Sequence, residues 1–131
     1  TRDLRELAAE SVADSAELRA KLRLGVQVVG IDEAQFFDEG LADLAMELAD
    51  AGIRVVVAGL DQDYRREPFG PMPRLLAQAE LVDKMHAVCV RCGGPAHYSQ
   101  RIRGGSDQVQ VGDSDAYEAR CRRCFEPYAS R

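Results

Sequence analysis

A chain of 131 residues with 46% hydrophobic and 30% charged residues has room for one ordinary domain, or a modest domain with a small one appended. Its net charge of −5 argues against a protein that wraps nucleic acid by charge alone, although the stretch from Lys84 to Arg131 is locally basic, with 8 Lys/Arg against 5 Asp/Glu. No run is apolar for long enough to span a bilayer and no signal peptide opens the chain, so no membrane partner and a cytoplasmic location are expected.

In chain order, Asp14-Ser15-Ala16-Glu17 has the form of a capping box, and Leu18 and Leu22 follow at helical spacing. A short amphipathic helix is predicted to about Arg23, stopped by Gly25. "VQVVGI" (26–31), β-branched and nearly uncharged, predicts a strand covered on both faces. Leu41, Leu44, Ala45 and Leu48 then repeat at helical spacing, with Gly52 where a helix C-cap favours a left-handed residue. "IRVVVAGL" (53–60) is a second buried strand ending in Asp61, and a polar loop with Gly and Pro runs over 62–73. "RLLAQAELV" (74–82) predicts another helix and "KMHAVCV" (84–90) a third strand.

This β-α-β-α-β order predicts an α/β fold built on a parallel sheet with crossover helices. The two clearest strands end in "GID" and "GLD", which places acids where open parallel sheets form their ligand crevice. Helical and strand periodicity vanishes from Cys89 onward. The expected division is a nucleotide-binding core over 1–86 and a small metal-held domain over 87–131.

Cys89, Cys92, Cys121 and Cys124 form two CxxC pairs separated by 28 residues. Two such knuckles present four thiolates to one tetrahedral Zn²⁺, a closed and therefore structural site. The intervening "RIRGGSDQVQVGDSDAY" (101–117) would be an arch tethered at both ends, or simply an exposed hairpin. A zinc deaminase requires H-x-E and a Pro before a Cys pair. Here the histidines read His86-Ala87-Val88 and His97-Tyr98-Ser99, and Val88 precedes Cys89, so that chemistry is excluded.

The strand-end pair Asp32-Glu33 has the form of a Walker B element, in which one acid serves the Mg²⁺ of a nucleoside triphosphate and its neighbour faces the nucleophile. The same pair would also suit the start of a helix, where acids favour the dipole. Phe36, Phe37, Tyr64 and Phe69 fall on two adjacent strand-end loops, as would suit the flat face of a base; ordinary core packing is an equal reading for Phe37. Arg65 and Arg66 would meet phosphate or simply solvate their loop.

"GIDEAQFF", "AGLDQDYRREPFGP", "AELVDKMHAVCVRCG" and "AYEARCRRC", in this order from about residue 26 to 124, resemble the zinc-bearing, tetrameric thymidine kinase family. The resemblance implies a P-loop NTPase-like core, incomplete at its N-terminus, with a C-terminal zinc and lasso domain. It implies transfer of the ATP γ-phosphoryl group to the 5′-hydroxyl of thymidine or deoxyuridine, with Mg²⁺ accompanying ATP. Glu33 corresponds to the catalytic base, and Asp32, with Gln35, to the Mg²⁺-nucleotide site. Phe36, Tyr64, Phe69 and Tyr117 correspond to residues lining the nucleoside pocket, and Gln108, Val109, Gln110, Val111 and Gly112 to the lasso that closes over thymine. Structural zinc, a homotetramer and feedback by dTTP are implied as well.

The family's phosphate-binding loop, G-x-x-x-x-G-K-[ST], is absent, so this chain is expected to be a piece of a longer enzyme, inactive by itself. "QVQVG" also places glutamines where apolar residues are commoner in such lassos. A zinc-ribbon module that binds nucleic acid is the alternative, supported by the cysteine quartet and the basic tail. It leaves the strand-end acids and rings without a role.

Overall fold

The computed structural model describes residues 9–103 and 116–127. Helix α1 (Ser15–Lys21) begins as its sequence implies: the Asp14 carboxylate accepts a hydrogen bond from Glu17 N–H at 2.9 Å, and Glu17 accepts one from Ala13 N–H at 2.6 Å. Asp38 binds Ser15 through both carboxylate oxygens, at 2.8 Å to the backbone N–H and 2.7 Å to the hydroxyl, which docks α1 on the turn before α2. The Ser15 hydroxyl and N–H hold the Asp38 carboxyl below its usual range.

Strands β1 (Val28–Ile31) and β2 (Arg54–Val57) pair in parallel, with Val29 opposite Val55 and Ile31 opposite Val57. The crossover is helix α2 (Gly40–Asp50), which buries Leu41, Ala42, Leu44 and Leu48 against the sheet. Gly52 at φ 88° ends it: Gly52 N–H reaches Ala49 O and Ile53 N–H reaches Leu48 O, both at 3.0 Å, closing a Schellman motif. Helix α3 (Met72–Gln78) adds Met72 and Leu75 to the same core.

Three expectations are corrected. The strands are not covered on both faces: burial alternates along β1, and Val28 and Val56 on the other face remain 57% and 50% exposed, because all three described helices pack on one side. The helix expected over 74–82 starts two residues earlier, since Pro73 fits a first helical turn, and stops at Gln78. Leu81 and Val82 beyond it are exposed, so no packed apolar face sustains another turn. The expected third parallel strand is β3 (Ala87–Val88), which pairs antiparallel with β4 (Pro95–Ala96). The first CxxC turn folds the chain back immediately after Val88, and Cys89 N–H bonds Gly94 O at 2.7 Å.

β5 (Tyr98–Arg101) and β6 (Tyr117–Arg120) form a second antiparallel pair, completing a mixed α/β arrangement with a small parallel sheet. Leu44 lies at the centre of the α2 contact and is essentially sealed from solvent, whereas Met46 on the same helix is exposed. Leu44→Ala is expected to destabilise the fold by about 2–5 kcal/mol in urea denaturation and Met46→Ala by less than about 0.5 kcal/mol.

Candidate functional site

The carboxyl end of β1 turns sharply. Glu33 adopts a left-handed conformation, φ 54° and ψ 42°, and caps a single 3₁₀ turn, Ala34–Phe36. A non-glycine residue there costs about 1–3 kcal/mol, so the surroundings must fix it. They do so through Gln35, whose side chain is only 3% exposed. Its amide donates to a Glu33 carboxylate oxygen at 2.8 Å, and its carbonyl accepts from Leu60 N–H, just past β2, at 3.0 Å. A hydrogen bond to a charged group contributes about 1.5–3 kcal/mol, enough to offset the strain. Ala34 N–H also bonds Ala58 O at 3.0 Å, locking the turn to the second strand. Glu33 itself stays exposed, as does Asp32, whose carboxylate accepts from Glu33 N–H at 2.8 Å.

Two glycines make room for this turn. A Cβ at Gly59 would lie 2.9 Å from the Gln35 side-chain oxygen, and one at Gly70, φ 52°, would overlap the Gln35 carbonyl oxygen. The rings gather beside it. Phe36 is 54% exposed and meets the buried Phe69 edge to face, with ring centroids 5.7 Å apart. Burying a phenylalanine contributes about 1.5–3 kcal/mol, so a ring left half in water beside two acids is an available contact surface. Phe37 packs on the core instead.

The 61–70 loop is built around Asp63, whose buried carboxylate accepts from Arg65 N–H at 2.8 Å and Glu67 N–H at 3.1 Å. Asp61 is paired with Lys84 at 2.9 Å. Tyr64 is 3% exposed; Arg65 Nε donates to its hydroxyl at 3.0 Å, and the Arg101 guanidinium covers its ring at 3.8 Å from the centroid. Arg101 also donates to the hydroxyl of half-buried Tyr117. Arg66, left-handed at φ 65°, lays its guanidinium on Phe125 and Tyr98, 4.6 and 5.3 Å from their centroids. It is thus a packing contact between the loop and the cysteine-bearing unit. An open cavity of about 380 Å³ lies there, lined by Gln62, Arg65, Arg66, Glu67, Tyr98 and Arg122 and separate from Glu33 and Phe36.

The sulfurs of Cys89, Cys92, Cys121 and Cys124 all lie within 4.8 Å of one another, and those of Cys92 and Cys121 are 3.6 Å apart. A tetrahedral metal with sulfur ligands at about 2.3 Å requires sulfur separations of about 3.8 Å, so the quartet fits one ion. Burial pushes the Cys89 thiol up, but the surrounding backbone N–H groups outweigh it and hold the thiol at about 6. Cys124, hydrogen-bonded to Cys121 and shielded from water, is pushed up to about 12. The quartet without metal therefore shares protons unequally, and a cation would replace them. The second knuckle is anchored by buried Arg120, which donates to Cys124 O at 3.1 Å and to Glu118 at 2.7 Å. His86 and His97 meet edge to face, ring centroids 5.5 Å apart, and stand outside the quartet.

The sequence-predicted acids, Gln35 and the two rings Phe36 and Phe69 thus share one sheet edge, Tyr64 and Tyr117 meet through Arg101, and the four cysteines converge. Gln108, Val109, Gln110, Val111 and Gly112 lie outside the described residues. Arg101 and Arg120 were missed by sequence reasoning: arginines in a polar stretch read as surface, and burial does not alternate along β5 or β6, so no local pattern marks them.

The thymidine kinase family model matches residues 1–125. The chain belongs to the thymidine kinase family. It is 52% identical over 125 residues to a thymidine kinase of Bdellovibrio bacteriovorus, covering 95% of this chain and 61% of that protein. A thymidine kinase of Porphyromonas gingivalis is 52% identical over 128 residues, covering 98% and 62% respectively. One of a Rhodothermus species is 54% identical over 114 residues, covering 87% and 54%. The chain therefore spans between half and two-thirds of the length of these relatives.

Glycine substitution tests the geometry of the strand-end turn. Gly70→Ala combines left-handed strain with overlap on Gln35, whereas a Cβ at Gly93, φ 80°, meets nothing within 4 Å. Gly93→Ala is expected to cost about 1 kcal/mol and Gly70→Ala at least about 3 kcal/mol in denaturant unfolding.

Proposed function

We propose that this chain carries the nucleoside-binding and proton-accepting part of an ATP-dependent thymidine kinase. The observation that supports this most strongly is the Glu33 carboxylate, held in a left-handed turn by buried Gln35 beside a half-exposed ring, in a chain of this family. In this reading the fold is the P-loop NTPase-like core of the family, with residues 1–86 its nucleotide-binding portion and 87–131 a zinc and lasso domain. The phosphate-binding loop belongs to a part of the enzyme outside this sequence.

Glu33 accepts the proton of the thymidine 5′-hydroxyl as that oxygen bonds the γ-phosphorus of ATP and the bond to the β,γ-bridging oxygen breaks, leaving ADP. Fixing the carboxylate beforehand removes the entropy of finding that geometry during the reaction. Asp32, exposed and with one carboxylate oxygen held by Glu33 N–H, would serve the Mg²⁺ that accompanies ATP and neutralises its phosphates. Both side-chain ends of Gln35 are engaged, so it serves that site by holding Glu33. Phe36, Phe69, Tyr64 and Tyr117 wall the base, and the lasso (Gln108, Val109, Gln110, Val111, Gly112) closes over it.

The four cysteines hold zinc as a structural ion; their all-sulfur, closed donor set supports zinc and leaves no position for a reacting water. Pinning both ends of the 101–117 stretch lowers the entropy lost when the lasso orders on the nucleoside. A cytoplasmic homotetramer subject to dTTP feedback completes the reading, on the strength of the family resemblance.

In the full-length protein, Glu33→Gln is expected to lower kcat by about 10²–10⁴ while thymidine affinity by calorimetry stays within about twofold. Near-normal turnover in that variant would remove Glu33 from the role of base. Metal analysis is expected to find one zinc per chain, lost in Cys89→Ser. Zinc affinity is expected to fall as pH drops, through proton competition at Cys124 over the whole neutral range, and to fall more steeply below about 6, where protons also compete for the Cys89 thiolate. A metal content independent of all four cysteines would contradict the assignment.

A further inference from the structure

Arg101 has no role in the machinery described so far, yet it is 4% exposed and touches residues of both halves of the proposed nucleoside pocket. It ends β5, directly opposite Tyr117 at the start of β6. Its guanidinium lies 3.8 Å from the Tyr64 ring centroid and 5.1 Å from that of Tyr117, and it donates a hydrogen bond to the Tyr117 hydroxyl. Tyr64 comes from the 61–70 loop and Tyr117 from the cysteine-bearing unit, so one planar cation touches both segments. Ile102 N–H bonds Ala116 O at 2.7 Å, closing the ladder next to it. The chain between these two residues carries the expected lasso.

A guanidinium suits this position for a physical reason. Its flat face stacks on a ring while its edge donates in the same plane, which an ammonium cannot do. Burial makes the arrangement rigid, because a displaced buried cation would have to recover its interactions elsewhere. The arrangement holds the two tyrosines, which wall the base in the reading above, at one separation with the guanidinium against both rings.

We propose that Arg101 is the positioning residue of the nucleoside pocket, setting the Tyr64 ring and the Tyr117 hydroxyl at a fixed separation without itself touching the reacting atoms. The proposal rests on the thymidine kinase reading above and adds a residue to it.

The test is steady-state kinetics on the full-length protein with Arg101→Met, Arg101→Lys, Tyr117→Phe and the Met/Phe double variant, each first checked by thermal melting. Arg101→Met is expected to raise the KM for thymidine by about tenfold or more while the KM for ATP stays within about twofold, with Arg101→Lys intermediate. In the Tyr117→Phe background the same Met substitution is expected to add less than about threefold, because the two side chains act as one unit. A folded Arg101→Met enzyme with wild-type thymidine KM overturns the proposal. So does a parallel rise in both KM values, or an undiminished effect in the Tyr117→Phe background. Where Arg101→Met does not fold, Arg101→Lys decides: a wild-type thymidine KM overturns the proposal and a selective rise supports it. Absence of thymidine phosphorylation by the wild-type protein overturns this proposal together with the functional reading, whereas wild-type turnover with an unaltered KM in the variants overturns this proposal alone.

Discussion

Two hydrogen bonds from one buried amide organise the candidate site. Gln35 gives its N–H to Glu33 and takes the N–H of Leu60, so the ends of two parallel strands are joined through a single side chain. Without that link the turn would keep its Ala34–Ala58 backbone hydrogen bond, but the carboxylate would lose the side chain that anchors it. The left-handed backbone at Glu33, the tight approach of Gly59 and Gly70, and the exposure of Phe36 become intelligible together as parts of one rigid edge. Rigidity at that edge is what a proton acceptor needs, since a floating carboxylate would lose much of its advantage to orientation entropy.

The cysteine-bearing unit answers a different need. Its strands are two to four residues long, too short to stand alone, and they are stabilised by knuckle turns, by the Arg120 and Gln100 network, and by a site shaped for one metal ion. Arg66 and Arg101 then fasten this unit to the 61–70 loop by resting guanidinium groups on tyrosine and phenylalanine rings. A pocket that spans both units inherits its shape from those contacts, not from either unit alone.

Much of this was legible in the sequence. β-Branched runs ending in Gly-apolar-Asp gave the two parallel strands, the Leu41-Leu44-Leu48 spacing gave α2 with Gly52 as its stop, and two CxxC pairs gave the metal quartet. Local pattern could not say which face of a strand is covered, because Val28 and Val29 look alike until helices choose a side. It also misassigned Ala87–Val88, since a short apolar run before a cysteine fits a core strand and a knuckle hairpin equally well. The buried arginines were the least legible. A guanidinium reads as surface in one dimension and becomes core only when rings from distant segments surround it.

The most direct measurement of the central claim is turnover of the full-length protein carrying Gln35→Leu, which keeps approximate volume and removes both hydrogen bonds. In a folded variant kcat is expected to fall by about tenfold or more, with thymidine affinity within about twofold of wild type. A folded Gln35→Leu enzyme with the wild-type kcat would contradict it.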